Sequence, residues 1–356
     1  MNQQIRFCTS FDGTRIAYAI SGKGSLLVRA PHWLTHLEHD WTNPAMAPWV
    51  GLSRHYTLLR FDQRGTGLSD RQDCEVSFEA WMRDFEQVVD AAGWERFAIL
   101  GVSQGAASAI TYAARHPERV THIVLCGGFA RGWARRGLGP QELERQRVAY
   151  KLIEYGWGSG DASFRQVFTT QFMPDADLAS IHAFNAAMPI CSSAAIAAKT
   201  AETNSLIDVQ HEATRVKCPA LVFHAREDQR VPFEEGRLIA GLVPGARFVP
   251  LVTRNHLMIE SDPAWADFMA ETLAFYPDPG AARPGAFADL TARERDVLDL
   301  LAQGLDNAQI AARLELSEKT VRNHITHIFF KMQVENRSQA IVRSRAAGFG
   351  ADRPAG

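Results

Sequence analysis

Phe97 to Gly105 reads FAILGVSQG, and no other stretch constrains the fold of this chain as tightly. Four apolar residues run into Gly101-Val102-Ser103-Gln104-Gly105, a G-x-S-x-G pentapeptide, and the small residues Ala106 to Ala109 follow. That pattern gives the order strand, sharp turn, helix. A serine at such a turn stands clear of the sheet on a strained backbone, and the flanking glycines let strand and helix pass closely. Ser103 is therefore a candidate nucleophile, provided that the chain supplies a base and an acid to go with it.

Short apolar runs bounded by turn residues predict strands over Ile5–Ser10, Arg15–Ile20, Leu26–Ala30, Tyr56–Phe61, Phe97–Leu100, Thr121–Cys126, Ala220–His224 and Ala246–Pro250. Asp12-Gly13 marks a hairpin between the first two. Helical patterns over Phe78–Ala92, Ala106–His116, Glu234–Leu242 and Ala264–Phe275 alternate with the later strands. Such alternation implies an α/β architecture with a mostly parallel sheet and helices on both faces. From about 127 to 215 the pattern turns all-helical and rich in aromatics, as a lid over a pocket requires. Most of these aromatics are expected to form the lid's own core. Trp133, Tyr155, Phe172 and Phe184, with His32 and Trp33 from the sheet side, are the expected ligand contacts.

Groups that meet on a doubly wound sheet sit at the carboxyl ends of its strands. Ser103 follows one strand, Asp228 follows the strand ending at His224, and His256 follows the strand ending near Leu251. The chain order serine, acid, histidine suits this architecture. Ser103 is then the nucleophile, His256 the general base, and Asp228 the carboxylate that orients the imidazole.

At these residues the first 278 positions resemble an α/β-hydrolase of the epoxide-hydrolase and haloperoxidase-like branch. The resemblance rests on the serine pentapeptide, on Phe61-Asp62-Gln63-Arg64-Gly65-Thr66-Gly67-Leu68-Ser69-Asp70, on His116-Pro117-Glu118-Arg119-Val120, and on the acid and histidine just named. It implies an α/β-hydrolase fold with a helical lid. The D-x-R-G-x-G-x-S stretch is expected to be structural. Relatives carry His-Gly after the third strand, where a backbone N–H completes an oxyanion hole; this chain has Pro31-His32-Trp33. The expected oxyanion donors are the backbone N–H groups of Gln104 and Trp33. His32, His36 and His39 invite a metal hypothesis, but no acidic or cysteine pattern completes a ligand set, so neither metal nor cofactor is expected.

Tyr276 to Gly285 holds three prolines and two glycines, which no helix or central strand tolerates, so residues 279–288 are expected to be a linker. The 356-residue length likewise favours two domains. The five cysteines are scattered without C-x-x-C spacing, which argues for reduced thiols, and no apolar run approaches the roughly 18 residues a membrane span needs. With no basic-then-apolar leader at the N-terminus, a cytoplasmic location without membrane contact is expected.

Beyond the linker, 289–350 reads as a small four-helix domain. Thr291 and Glu294 form a capping-box pair, Val297, Leu300 and Leu301 make an apolar stripe, and Gly304 ends the helix. Asn307 opens a second helix, Ser317 caps a third and Ser338 a fourth, so the second and third form a helix-turn-helix. The segment closely resembles the LuxR-type (GerE-like) DNA-binding domain, on T-x-R-E, Ile310-Ala311, S-x-K-T-V-x-x-H and Asn336-Arg337. Val321, Ile325 and Ile328 are expected to face the core of the third helix. Arg322, Asn323 and Thr326 then point outward for base edges, and Lys319, Thr320, His327 and Lys331 for phosphates. Residues 290–350 hold nine Lys/Arg against seven Asp/Glu, a small excess that implies limited nonspecific affinity. A homodimer through the fourth helix, about Ser338 to Ala347, on double-stranded DNA is the expectation.

Together the two resemblances imply a ligand-responsive transcriptional regulator, with a small apolar or aromatic molecule in the hydrolase-like pocket controlling DNA binding by the tail. The alternative is a serine hydrolase, esterase-like, whose tail localises or regulates it. A third possibility joins them: the sensor slowly hydrolyses its own signal.

Overall fold

Apolar runs punctuated by glycine, proline and aspartate become eight strands of one sheet: β1 (Gln4–Thr9), β2 (Arg15–Ser21), β3 (Leu26–Ala30), β4 (Thr57–Phe61), β5 (Phe97–Val102), β6 (Val120–Cys126), β7 (Ala220–Ala225) and β8 (Arg247–Leu251). This computed structural model describes residues 3–33, 35–71, 74–159, 161–277, 287, 290–332, 334, 336–346 and 349–350. Apart from Phe287, the linker expected over 279–288 lies outside the described residues. Two compact units result, Met1–Tyr276 and Pro277–Gly356.

In the first unit the strand order is β1-β2-β4-β3-β5-β6-β7-β8. β1 and β2 form an antiparallel hairpin whose turn places Gly13 at φ 89°, β2 runs antiparallel to β4, and the remaining neighbours are parallel. From β3 the chain moves to β4 on one side, and from β5 to β6 on the other. A doubly wound sheet opens a crevice where its connections diverge in this way, at the carboxyl ends of the strands. The unit has an α/β-hydrolase fold.

Among the described residues ten α-helices belong to it: α1 (Ala47–Gly51), α2 (Phe78–Ala91), α3 (Gln104–Arg115), α4 (Pro140–Gly156), α5 (Ala162–Phe172), α6 (Leu178–Cys191), α7 (Ala194–Leu206), α8 (Gln210–Ala213), α9 (Phe233–Leu242) and α10 (Pro263–Phe275). The Ser77 side chain caps α2 by accepting from Ala80 N–H, and Trp81, Phe85 and Val88, at helical spacing, bury against one face of the sheet with α3 and α9. α1 and α10 cover the other face, where Trp49 meets Trp265 edge-on at 5.0 Å.

The Asp62–Asp70 loop after β4 is a structural knot. The Arg64 side chain is fully buried and reaches both oxygens of Asp84 at 2.7 Å, and Asp12 at 2.7 Å. Removing one partner of such a buried pair costs about 3–5 kcal/mol. Gly67 sits at φ 54°, where a Cβ would lie 2.0 Å from Asp62 Oδ2. That carboxylate accepts the N–H groups of Leu37 and Leu68.

The helical excursion closes sooner than the expected 127–215. Gly132 N–H donates to Ile207 O and Val209 N–H to Ala130 O, so an antiparallel neck pins the two ends and the lid proper is α4 to α7. α8 lies past the neck and packs on α3.

The second unit contains α11 (Ala292–Ala302), α12 (Asn307–Leu314), α13 (Glu318–Met332) and α14 (Arg337–Ala346). Thr291 and Glu294 form a capping box on α11, and Asp306 with Gln309 forms another on α12. Glu315 takes a left-handed conformation, φ 55°, which turns the chain from α12 into α13. The cap of α14 is Asn336, whose Oδ1 accepts Gln339 N–H at 3.0 Å, and not Ser338. The helix begins at Arg337, whose guanidinium donates to Leu305 O and Asn307 Oδ1. Val297, Leu301, Ile310, Val321 and Ile328 are fully buried at its centre.

Candidate functional site

β5 delivers Ser103 at φ 53°, ψ −122°, one of two non-glycine residues with positive φ among those described. Such a conformation costs on the order of 1–3 kcal/mol and is held by its surroundings. The two glycines of the pentapeptide explain how. A Cβ on Gly101 would lie 2.6 Å from Gly105 O, and one on Gly105 would lie 3.0 Å from Ala30 O. α3 therefore starts at Gln104, two residues before the expected start, hard against the end of β3. The Gln104 N–H is consequently one of the unpaired donors of a helix N-terminus.

His256 Nε2 lies 2.8 Å from Ser103 Oγ, and its Nδ1 lies 2.7 Å from Asp228 Oδ2. The other Asp228 oxygen accepts the N–H groups of Arg230 and Val231, both at 2.8 Å. Burial alone would push this carboxyl up, but the adjacent His256 imidazole and the hydrogen bonds hold it below the ordinary carboxylate range. Gly127 closes the far side of the ring; at φ +60°, a Cβ there would lie 3.2 Å from His256 Nδ1 and Cε1.

The loop carrying His256 is clasped to the lid. Leu257 N–H donates to Phe172 O at 3.0 Å, Asp175 N–H donates to Asn255 Oδ1 at 3.0 Å, and Arg254 pairs with Asp175 at 2.8 Å. Asn255 Nδ2 and Thr253 Oγ1 in turn donate to Asp262 Oδ2.

Two cavities meet at Trp33, Ser103 and Phe172, of about 70 and 20 Å³. Sites for small molecules commonly run to about 300 Å³ or more, so the enclosed space is small by that measure. Of the expected ligand contacts, Trp133 lines the larger cavity, His32 and Phe184 the smaller, and Trp33 and Phe172 both. Tyr155 is a correction: it is 69% exposed, with Lys151 Nζ 5.5 Å from its ring. The inward face of α4 is Gln146, Ala149, Tyr150 and Ile153, and Tyr155 falls on another side of that helix. Trp33 stacks on Trp157 at 5.8 Å and meets Phe168 edge-on at 4.9 Å.

Sequence reasoning missed the polar wall. Gln104 Nε2 donates to Gln63 Oε1, and Asn204 Nδ2 to Gln104 Oε1, both at 2.8 Å, so the Gln104 side chain is fixed by partners 41 and 100 residues away. Arg136 and Arg230 also line the larger cavity. Their one sequence signal was position, Arg230 lying two residues after the acid. His32 Nε2 faces the buried Arg29 guanidinium, and burial followed by that charge pushes its pKa well below the ordinary imidazole value. Among the described residues no group of three or more His, Cys, Asp and Glu is placed to hold a metal ion, and no helix is long and apolar enough to cross a membrane.

On α13, Val321, Ile325 and Ile328 are buried while Lys319, Arg322, Asn323, Thr326 and His327 are exposed. Thr320 is half-buried, its Oγ1 2.8 Å from Ser317 Oγ, and Thr326 Oγ1 donates back to Arg322 O. Lys331 is a correction to the expected phosphate contacts. Its Nζ lies 2.7 Å from Glu294 Oε2, so the ammonium holds the capping box of α11.

Residues 39–263 match the family described as alpha/beta hydrolase fold, and residues 288–344 match bacterial regulatory proteins, luxR family. The chain is 26% identical over 254 residues to pyrrolizixenacetamide deacetylase of Xenorhabdus hominickii, covering 69% of this chain and 90% of that protein. Its tail is 51% identical over 53 residues to the nitrate/nitrite response regulator protein NarL of Escherichia coli (strain K12), 15% of this chain and 24% of that protein. The crystal structure of the enol-lactonase from Burkholderia xenovorans LB400 superposes with a TM-score of 0.59 at 23% identity, covering 76% of this chain and 98% of that one.

Proposed function

We propose a function from the premise that this chain belongs to the alpha/beta hydrolase fold family and ends in a luxR-family regulatory domain. It is a ligand-responsive transcriptional regulator: a small molecule bound above Ser103 controls DNA binding by the C-terminal helix-turn-helix. The observation that carries this reading is the exposed face of α13, with Lys319, Arg322, Asn323 and Thr326 presented together and no structural task for Lys319 or the Arg322 guanidinium among the described residues. Arg and Asn suit guanine and adenine edges in a major groove, and Lys319 suits a phosphate. Thr320 and His327 flank them. A homodimer would engage two half-sites, and the likeness of the tail to a nitrate/nitrite response regulator supports DNA as the partner. Scattered, unpaired cysteines suit a reducing cytoplasm.

A second reading is favoured by the 2.8 and 2.7 Å relay: the sensor hydrolyses its own signal. Ser103 Oγ attacks a carbonyl carbon while His256 Nε2 takes its proton, and Asp228 keeps the imidazole in the required tautomer. The backbone N–H groups of Gln104 and Trp33 receive the oxyanion; each such donor is worth about 100-fold to 1000-fold in rate. His256 then protonates the leaving group, and water repeats the sequence on the acyl-serine. A relative that removes an acetyl group, by its name, supports acyl chemistry on such a frame.

A promoter reporter and an ester-hydrolysis assay, run in parallel on wild type, Ser103→Ala and Arg322→Ala, test both readings. The regulator reading expects Arg322→Ala to lose promoter binding, and an unchanged affinity would overturn it. The hydrolysis reading expects Ser103→Ala to lose ester turnover; a ligand response that survives this loss shows that binding, not turnover, is the signal.

A further inference from the structure

The two cavities that meet at Ser103 differ in chemistry. The smaller is walled by Val102, Phe168, Phe184 and Leu257, with His32 and His256 at its edge, and is lined by no Lys, Arg, Asp or Glu. The larger presents Arg136, Arg230, Gln146, Asn204 and Gln104 and no carboxylate.

The two arginines are not equivalent. Arg136 Nε lies 3.6 Å from Glu235, a buried carboxylate that also takes Arg131 Nε at 3.1 Å, and Arg136 Nε donates to Arg131 O. Arg136 thus has a carboxylate of α9 beside it, shared with Arg131. Arg230 has no such partner: the one hydrogen bond of its guanidinium among the described residues is a long contact of 3.4 Å with Gln171 Oε1. A guanidinium has five N–H donors. The nearest carboxylate in sequence, Asp228, is committed, one oxygen to two backbone N–H groups and the other to His256. Instead, three aromatic faces surround the cation, Trp33 at 5.6 Å, Phe168 at 5.3 Å and Phe172 at 5.2 Å. Rings of this kind hold a guanidinium in place by its faces and leave its N–H edge free to meet what enters the cavity. Burial pushes Arg230 down to about 10, which keeps it cationic at neutral pH. The Trp33 indole N–H, in the wall shared by both cavities, is buried without a hydrogen-bond partner among the described residues.

We propose that this pocket takes a two-ended carbonyl compound, with a compact apolar group in the smaller cavity, its carbonyl at Ser103, and a carboxylate in the larger cavity held by Arg230. The inference rests on the reading that the pocket binds a small molecule, and it adds a carboxylate to the apolar or aromatic ligand expected from the lid aromatics. Planar guanidinium and planar carboxylate match in two parallel hydrogen bonds, which fixes the orientation of the bound molecule relative to Ser103. Arg230 and Asp228 share one turn of backbone, so the anchor and the relay are positioned by the same loop.

The test uses the full chain with two esters of equal length, para-nitrophenyl valerate and the para-nitrophenyl hemiester of glutaric acid. In each, water adds across the ester to release para-nitrophenol and the free acid. Wild type is expected to favour the hemiester by about tenfold or more in kcat/KM, carried by KM. Arg230→Gln should bring that ratio to about one, and Arg230→Lys should keep part of it. No preference in wild type, or an equal fall for both esters in Arg230→Gln, overturns the assignment. Tryptophan fluorescence of Ser103→Ala, with the same two compounds, reads binding without turnover. Binding of both alike refutes the carboxylate anchor alone, whereas binding of neither refutes the small-molecule pocket as well.

Discussion

Lys319 and Lys331 lie on one helix and carry the same charge, yet their replacement should have opposite consequences. Of the nine Lys/Arg between 290 and 350, six are engaged inside the domain. Arg293 donates to Leu314 O, Arg295 to Phe287 O, Arg337 to Asn307 Oδ1, Arg343 to Met332 O and Arg345 to Ala302 O, while Lys331 pairs with Glu294. Arg313, Lys319 and Arg322 remain without a hydrogen bond or ion pair from their charged ends among the described residues. On a random-sequence duplex, where Arg322 has no particular base to read, each free cation that rests on a phosphate contributes about 0.9 to the slope of log affinity against log salt, so the three together set an upper bound near −3 per protomer and near −5 for a dimer. Between 50 and 200 mM salt one protomer should lose up to about 40-fold in affinity. Lys319→Met should reduce the slope by about 1 per protomer. Lys331→Met should leave the slope unchanged and lower the stability of the domain instead, by up to about 1 kcal/mol given the partial exposure of the pair. Fluorescence anisotropy with a random-sequence duplex over a salt series reads the slope, and thermal melting reads the stability. If Lys331→Met cuts the slope as much as Lys319→Met does, the division into engaged and free cations is wrong.

Other outcomes follow from the relay and the two cores. Asp228→Asn should lower kcat for any ester this chain hydrolyses by about 10⁴ while KM changes little, because the amide favours the wrong imidazole tautomer; a loss under tenfold argues against the relay. Gly127→Ala should disturb the same ring, since the new methyl presses on His256 from a backbone at φ +60°, and a pH–rate profile should change even though no reacting group is removed. Ile328→Ala should destabilise the second unit by about 2–5 kcal/mol, read by its melting transition, with hydrolysis untouched. Glu294 is held down at about 2: burial opposes its charge, but Lys331 and the Thr291 cap outweigh it. Its folded value lies below the ordinary 4.5, so its contribution is complete above that pH and is lost as pH falls toward 2. Glu294→Gln should flatten this acid limb, and an unchanged limb would show that another group governs it.

What the sequence made legible was whatever depends on near neighbours. All eight strands and the serine turn follow from apolar runs and glycine positions, and the buried face of α13 follows from the spacing of Val321, Ile325 and Ile328. The acid and histidine were found because the sheet topology fixes where strand ends converge. What escaped were side chains whose partners lie far away in the chain. Lys331 looked like a free cation because Glu294 is 37 residues distant. Arg230 drew no reading, because its three aromatic neighbours come from one strand end and a lid helix. Tyr155 was misread for a different reason: α4 has no strong apolar stripe, so aromatic content could not say which of its sides faces inward. Ser338 lost the cap of α14 to Asn336, whose neighbour Arg337 is tied to Leu305 and Asn307, far back in the domain sequence.

The clasp between the lid and the His256 loop couples two features that look separate. Leu257 N–H and Asn255 Oδ1, on either side of the imidazole, are both tied to the segment from Phe172 to Asp175, so the backbone that aims His256 at Ser103 is anchored in the lid as well as in the sheet. The cover of the pocket and the aim of the imidazole are therefore one structural unit, and a substitution that loosens the first loosens the second.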